Sequence, residues 1–390
     1  MSKSIKNLIL PYTILMVFCI YLRYSLVNMS INSIAGETEA VPTSVIIGFI
    51  ALTAVYILFN RKSLHLNMND GIGFTTFVSY VYVLSVSITL FVPFSTKSYY
   101  FYIIYPIACF YFTQVFISKI NDLRYILYPC VIIIGVLIYQ YSISYQETAL
   151  LVSYTTSNNS AYFLLFFMPI VLCLDNNYLK WILVGIISYA VIVSFKRGCV
   201  FALVATFVTY YYFQYVKGQG GTKGFLSIIL LVALLLYVGY RILNSSNDIF
   251  THLVSRFANI GEDGGSGRSD VYKVTWDMII SSDLLSLLFG HGWNMVIRDS
   301  PMSLSAHNDY MECLYDFGII GFVLFMKLIH GLIKYVKTIH ESRFYAPFAA
   351  SIALLITTSA FAHVVIYTTY FSILAMFWSI AINSNKYSNL

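Results

Sequence analysis

The chain has 390 residues, 59% of them hydrophobic and only 10% charged, with 23 Lys and Arg against 17 Asp and Glu for a formal net charge of +6. An average soluble domain is roughly a quarter charged, so too few charges remain here to cover a water-facing surface, and an ordinary soluble enzyme is excluded. The modest positive excess reads as loop-orienting charge in a membrane protein, not as a nucleic-acid surface.

A hydrocarbon core about 30 Å thick takes about 20 apolar helical residues. By that measure the sequence predicts about twelve spans, near 7–27, 41–59, 72–94, 99–118, 124–143, 159–174, 180–195, 199–216, 224–243, 313–335, 346–361 and 364–382. Lys3 and Lys6 precede the first apolar run, and no clear small-residue cleavage site follows it, so that run is read as a span and not as a cleaved signal. Counting from an inner N-terminus, the inner segments hold Arg61, Lys62, Lys119, Arg124, Lys180, Lys217, Lys223, Lys334, Lys337, Arg343 and Lys386. The short outer loops hold little beyond Arg23, Lys97, Lys196 and Arg197. That bias places both termini of a multi-pass membrane protein in the cytoplasm. The cysteines Cys19, Cys109, Cys130, Cys173, Cys199 and Cys313 lie mostly within apolar runs, with no CxxC and no His at metal-ligand spacing, and read as small hydrophobes.

One outer segment, roughly 244–312, is long enough to fold. The chain therefore divides into an N-terminal bundle over 1–243, an extracytoplasmic loop over 244–312, and C-terminal spans over 313–390. Within the loop, NIGEDGGSGRSD predicts a Gly-rich turn. SDVYKVTWDMIISSDLLSLLFG then predicts a helix capped by Ser269 or Asp270, with Tyr272, Trp276, Ile279 and Ile280 at helical spacing and the helix lying on the outer membrane face. The fold class is an all-α integral membrane protein with one large extracytoplasmic loop that contains an amphipathic helix.

Charged groups near membrane depth are costly, which makes them functional candidates. Lys196 and Arg197 in SFKRGCVF sit at an outer span boundary, either as snorkelling loop charges or as a clamp for an anion. GGSGRSD is not a nucleotide loop, since GxxxxGK[ST] is absent and no strand precedes it. Arg268 is then either a solvated charge or a phosphate ligand beside a helix N-terminus. In SAHNDYMECLYDFGIIGF, His307 and Asn308 precede a span, and Glu312 and Asp316 are four apart on one helix face. They are either interfacial caps or a site with His307 as general base. Asn158 and Asn159 open a span from the outer side, and His363 falls between the last two spans.

Taken together, these pieces resemble the O-antigen ligase and polymerase superfamily of bacterial envelope proteins. GRSDVYKVTWDMI, LLFGHGWN and SAHNDYMECLYDFGIIGF keep that superfamily's order, and His307 and Gly318 match its H-x10-G signature. SFKRG resembles its Ser-x-x-Arg-Gly segment, and SNNSAYFLLFFMPI its Asn-containing span start. The chain departs from the ligases' R-x3-L at Arg197, where Phe201 stands in place of Leu.

The resemblance implies transfer of a glycan from undecaprenyl pyrophosphate to a hydroxyl of an acceptor glycan, with no metal and no other cofactor. It implies Arg197, Arg268 and His307 as the catalytic set. Lys196, Asn158, Asn159, Asn308, Glu312 and Asp316 are implied around the substrate, with Glu312 or Asp316 orienting His307 and Trp293 stacking on sugar. Partners would be the lipid-linked oligosaccharide, the acceptor glycan, membrane lipid and a chain-length regulator. A repeat-unit polymerase for O-antigen, capsule or exopolysaccharide is the leading reading. A ligase using lipid A–core is the second, and a glycolipid transporter or flippase is the alternative from another class.

Overall fold

A computed structural model describes residues 3–35, 42–63, 72–91, 99–151, 160–216 and 264–384. The expected span at 224–243, the first part of the large loop, and Asn158 and Asn159 lie outside the described residues. Every regular element described is helical. In chain order these are α1 (Lys3–Ala35), α2 (Thr43–Phe59), α3 (Phe74–Phe91), α4 (Tyr99–Lys119), α5 (Arg124–Leu151), α6 (Ala161–Phe166), α7 (Met168–Leu172), α8 (Asn177–Val193) and α9 (Arg197–Tyr211). There follow α10 (Gly264–Ile280), α11 (Leu284–Phe289), α12 (Met295–Asp299), α13 (Asp309–Asp316), α14 (Gly318–Val336), α15 (Tyr345–Phe361) and α16 (Thr368–Asn383).

Among the described residues, Leu8–Val27, Arg124–Gln146 and Gly318–Ile339 are long and apolar enough to cross a membrane, and six shorter apolar helices accompany them. Their outward faces match that use. On α5, Tyr125, Tyr128, Ile132, Val136 and Tyr139 form an exposed stripe at spacings of three and four, and Ile182, Ile186 and Tyr189 do the same on α8. Such apolar stripes suit lipid and not water.

The main apolar core is continuous from Ile14 to Ile382, and a smaller second cluster gathers Ile279, Met295, Val296, Ala306 and Tyr315. The last helix, α16, packs along α4, and α9 packs along α15, so helices from both ends of the chain share it. Ser379 Oγ donates to the Phe110 carbonyl at 2.7 Å, and Trp378 Nε1 donates to Ser351 Oγ at 3.0 Å. These bonds join neighbouring helices through polar groups that close packing buries.

Three elements differ from expectation. The expected span 159–174 is divided at Phe167 into α6 and α7, with Pro169 in the first turn of α7. A proline cannot donate to the preceding turn, so the helix resets there. The expected Gly-rich turn is helical from Gly264, which makes Arg268 the fifth residue of α10 and puts Ser269 and Asp270 inside the helix, not at its cap. On that helix the buried face is Val271, Thr275 and Ile279, while Trp276 and Ile280 are exposed.

The expected span 313–335 is also not continuous. A short helix, α13, stops at Phe317, and α14 restarts at Gly318 with φ +69. The break exists because another segment docks there. His291 N donates to the Tyr315 carbonyl at 3.1 Å, and Gly292 N to the Asp316 carbonyl at 2.8 Å. A methyl on Gly318 would overlap the Leu288 carbonyl and Gly290 N, and one on Gly290 (φ +89) would overlap the Asp316 carbonyl. Two backbones touch here, which only glycine permits. Tyr80 Oη donates to the Phe317 carbonyl at 3.0 Å, tying α3 to the same joint. Asp316 completes it. Its carboxylate accepts from Asn294 N at 2.9 Å, Met295 N at 3.0 Å and Val296 N at 3.1 Å, capping α12.

Two consequences are measurable. Gly318→Ala should cost at least about 2 kcal/mol, because it adds both a left-handed penalty and a backbone overlap; a lowered unfolding temperature in detergent is the expected result. Asp316→Ala strands three amides and should cost about 3 kcal/mol. Hydrogen exchange at residues 294–296 should rise more than in α16.

Candidate functional site

The site lies at the end of the bundle where α8 meets α9, α13 begins, and α15 gives way to α16. Ser194 ends α8 by donating its Oγ to the Val191 carbonyl at 2.7 Å. Phe195 is buried at φ 53, Lys196 is the N-cap of α9, and Arg197 is its first residue. Both cations are half-buried. A methyl on Gly198 would press on the Phe361 side chain and the Tyr162 hydroxyl. The small residue therefore lets the first turn of α9 close onto α6 and the end of α15.

His307 stands immediately before α13 at φ 51. For a residue other than glycine that conformation costs on the order of 1 kcal/mol. Asn308 then caps α13, its Oδ1 accepting from Tyr310 N at 3.0 Å and Met311 N at 3.3 Å. His307 keeps an open face, yet the chain packed around its ring removes enough water to push its pKa down to about 3, with His363, Arg268 and Lys196 adding to the effect through their charges. The same electrostatics locate these side chains. Lys196 from α9 and Arg268 from α10 both act on the His307 ring, and Arg268 also acts on Tyr162 and His363.

Beneath His307 lies a second, buried imidazole. His363, in the break between α15 and α16, has its ring centre 4.6 Å from that of His307. Its Nδ1 hydrogen-bonds Glu312 Oε2 at 2.6 Å, and its Nε2 hydrogen-bonds Ser305 Oγ at 2.9 Å. Burial disfavours charge on His363, but Glu312 and Asp309 together outweigh it and raise its pKa. The two neighbouring rings are thus driven toward opposite states, His307 neutral and His363 protonated.

Helix α13 supplies this arrangement from one buried face. Asp309, Glu312 and Asp316 fall at i, i+3 and i+7, and all three are buried. Asp309 Oδ2 accepts from Ser359 Oγ and Val364 N, each at 2.8 Å, and so holds the chain on either side of His363. Ligand atoms of Asp309, Glu312 and His363 lie within 4.8 Å of one another. They are already engaged in these hydrogen bonds, except Glu312 Oε1, which is buried without a partner among the described residues. One open carboxylate oxygen does not make a metal site.

Of the residues singled out in the sequence, the structure brings Lys196, Arg268 and His307 together, with Arg197 beside Lys196. Glu312 and Asp316 bond to His363 and to the 294–296 amides, not to His307. Trp293, expected to stack on sugar, is buried against Phe317, with ring centres 5.9 Å apart. Sequence reading passed over Ser305, Asp309 and Tyr162, and gave His363 only a bland role. The spacing of Asp309, Glu312 and Asp316 was the available signal, since three acids on one face at a span's start need partners from elsewhere in the chain.

No curated protein matches the chain. Residues 182–326 match the family model described as O-antigen ligase, a stretch that takes in Lys196, Arg197, Arg268, His307 and the whole of α13. That match supports glycan transfer of the O-antigen ligase and polymerase type as the general activity. The match ties this segment, rather than the chain as a whole, to the O-antigen ligase/polymerase superfamily.

Proposed function

We propose that this protein is a polymerase that joins oligosaccharide repeat units carried on undecaprenyl pyrophosphate, acting at the extracytoplasmic face of a bacterial inner membrane. The observation that carries the proposal is the gathering of Lys196, Arg268 and His307 at one end of the bundle. A glycosyl diphosphate has to lie at the lipid–water boundary, with its anionic group near cations and its sugar reaching into water. Arg197 and Arg268 would hold the pyrophosphate, and Lys196 would add to the positive field. His307, neutral and partly open, would take the proton from the acceptor hydroxyl as that oxygen bonds to the anomeric carbon. The bond from that carbon to the pyrophosphate oxygen breaks, and the lipid diphosphate leaves with the electron pair, stabilised by the guanidinium groups.

The orientation has its own support. At the far end of the bundle, Arg343 pairs with Asp175, and Arg124 with Asp122 at 2.6 Å. These belong to the basic segments expected inside, and α8 and α15 run from that end to the site. A transporter would instead need its charges along a path at mid-depth. The ligase reading differs only in the acceptor. Phe201, which stands where the ligase pattern has Leu, stacks on Phe361 with ring centres 5.6 Å apart and weighs toward polymerase.

Arg197→Ala, Arg268→Ala and His307→Ala should each reduce polymer at least about a hundredfold while the protein still inserts, as loss of a charge-stabilising group or a base does elsewhere. Normal polymer length and amount in all three would exclude this site. Deletion of the gene separates the two acceptors on a glycolipid gel. A lost polymerase leaves one repeat unit on the acceptor lipid, whereas a lost ligase leaves none and the glycan remains on the carrier.

A further inference from the structure

The chain Ser305–His363–Glu312 is not among the groups proposed to bind the diphosphate, yet it is buried and hydrogen-bonded end to end. Ser305, His363 and Glu312 are 9%, 3% and 2% exposed, so none presents a face to a substrate. Both nitrogens of His363 are occupied, Nε2 by Ser305 Oγ at 2.9 Å and Nδ1 by Glu312 Oε2 at 2.6 Å. Its ring therefore can neither rotate nor shuttle a proton to a sugar. Asp309 fixes the segment around it through Val364 N and Ser359 Oγ. The free edge of this assembly faces the His307 ring, with centres 4.6 Å apart and planes at 44°.

We propose that His363, clamped between Glu312 and Ser305, is a positioning residue for His307: a fixed second imidazole whose charge is set by Glu312 and which holds His307 in the orientation and form that accepts the proton of the acceptor hydroxyl. The proposal rests on the transferase reading above. The groups facing His307 are His363 from the break before α16, Arg268 from α10 and Lys196 from α9; those facing His363 are Glu312 and Asp309 from α13, Arg268, His307 and the Tyr367 ring, 5.3 Å away. Beside Glu312 and Asp309 the protonated form of His363 is favoured, and a positive charge there opposes a proton on His307. Lys196 and Arg268 oppose it as well. When the diphosphate arrives its negative charge offsets them, so His307 gains basicity only once the donor is seated.

The test is the pH profile of glycan transfer by the full chain in liposomes, using a synthetic polyprenyl diphosphate oligosaccharide as donor. Glu312→Gln keeps the size and one hydrogen bond of the side chain but removes the charge that holds a proton on His363. His307 then loses a cationic neighbour and its pKa rises, so the acid limb of the profile should move to higher pH by about one unit. KM for the donor should stay within about twofold of wild type, because neither guanidinium is touched. Ser305→Ala removes only the Nε2 contact and should move the limb in the same direction by less. It carries the same test should Glu312→Gln fail to insert. A rate lowered equally at every pH in these variants, with the limb unmoved, would mean that the chain only braces the fold and would overturn the proposal. Wild-type protein that transfers nothing, or His307→Ala that transfers normally, would overturn the transferase reading itself.

Discussion

Three carboxylates buried on one face of an eight-residue helix are the constraint on which the site depends. An unpaired carboxylate in a low-dielectric interior costs several kcal/mol, so each acid of α13 must find partners or lose its charge. Asp316 finds them in the amides that open α12, Asp309 in the amides beyond α15, and Glu312 in His363. The partners come from chain segments on either side of α13 that local sequence cannot bring together. Satisfying the acids therefore assembles the joint. His307, directly before this helix, inherits its position from those bonds, and the glycines at 290 and 318 let the backbones close to contact.

The electrostatics follow from the same packing. Lys196 and Arg268 arrive on different helices and both act on the His307 ring, while the acids of α13 bond to amides and to His363. Charges at a lipid–water boundary act in a lower effective dielectric than in water, which lengthens the reach of each cation. Two imidazoles at 4.6 Å cannot both be protonated cheaply. Glu312 and Asp309 favour the proton on His363, and the outward ring is the neutral one.

Much of this was legible from the chain, and what was hidden had a physical reason. Hydropathy located the apolar helices well at 346–361 and 364–382, where the structure has Tyr345–Phe361 and Thr368–Asn383. It missed the break at Gly318, because a break caused by a distant backbone leaves no mark on local hydropathy. It also read GGSGRSD as a turn from its glycines, although the segment joins a helix whose buried face, Val271, Thr275 and Ile279, packs against the protein. For the site, Lys196, Arg197, Arg268 and His307 stood out because charge near a span boundary is costly wherever it occurs. Asp309 and His363 did not. An acid at a helix start has an ordinary explanation as a cap, and a lone histidine between spans has no visible partner until the chain is folded.

The acids and cations of this protein are organised in opposite ways at the two ends of the bundle, and the difference bears on chemistry. At the end away from the site, cation meets carboxylate directly, as in Arg343 with Asp175 and Arg124 with Asp122. Such pairs neutralise one another and leave little field for a ligand. At the site end, the carboxylates of Asp309 and Asp316 are satisfied by backbone N–H groups, and that of Glu312 by an imidazole. Amide donors stabilise a carboxylate without drawing in a guanidinium, so under the proposed function these three acids would not compete with a phosphate for Arg268. A surface that has to receive an anion benefits from that separation, because the positive field survives only where the fold's own negative charges have been bonded elsewhere.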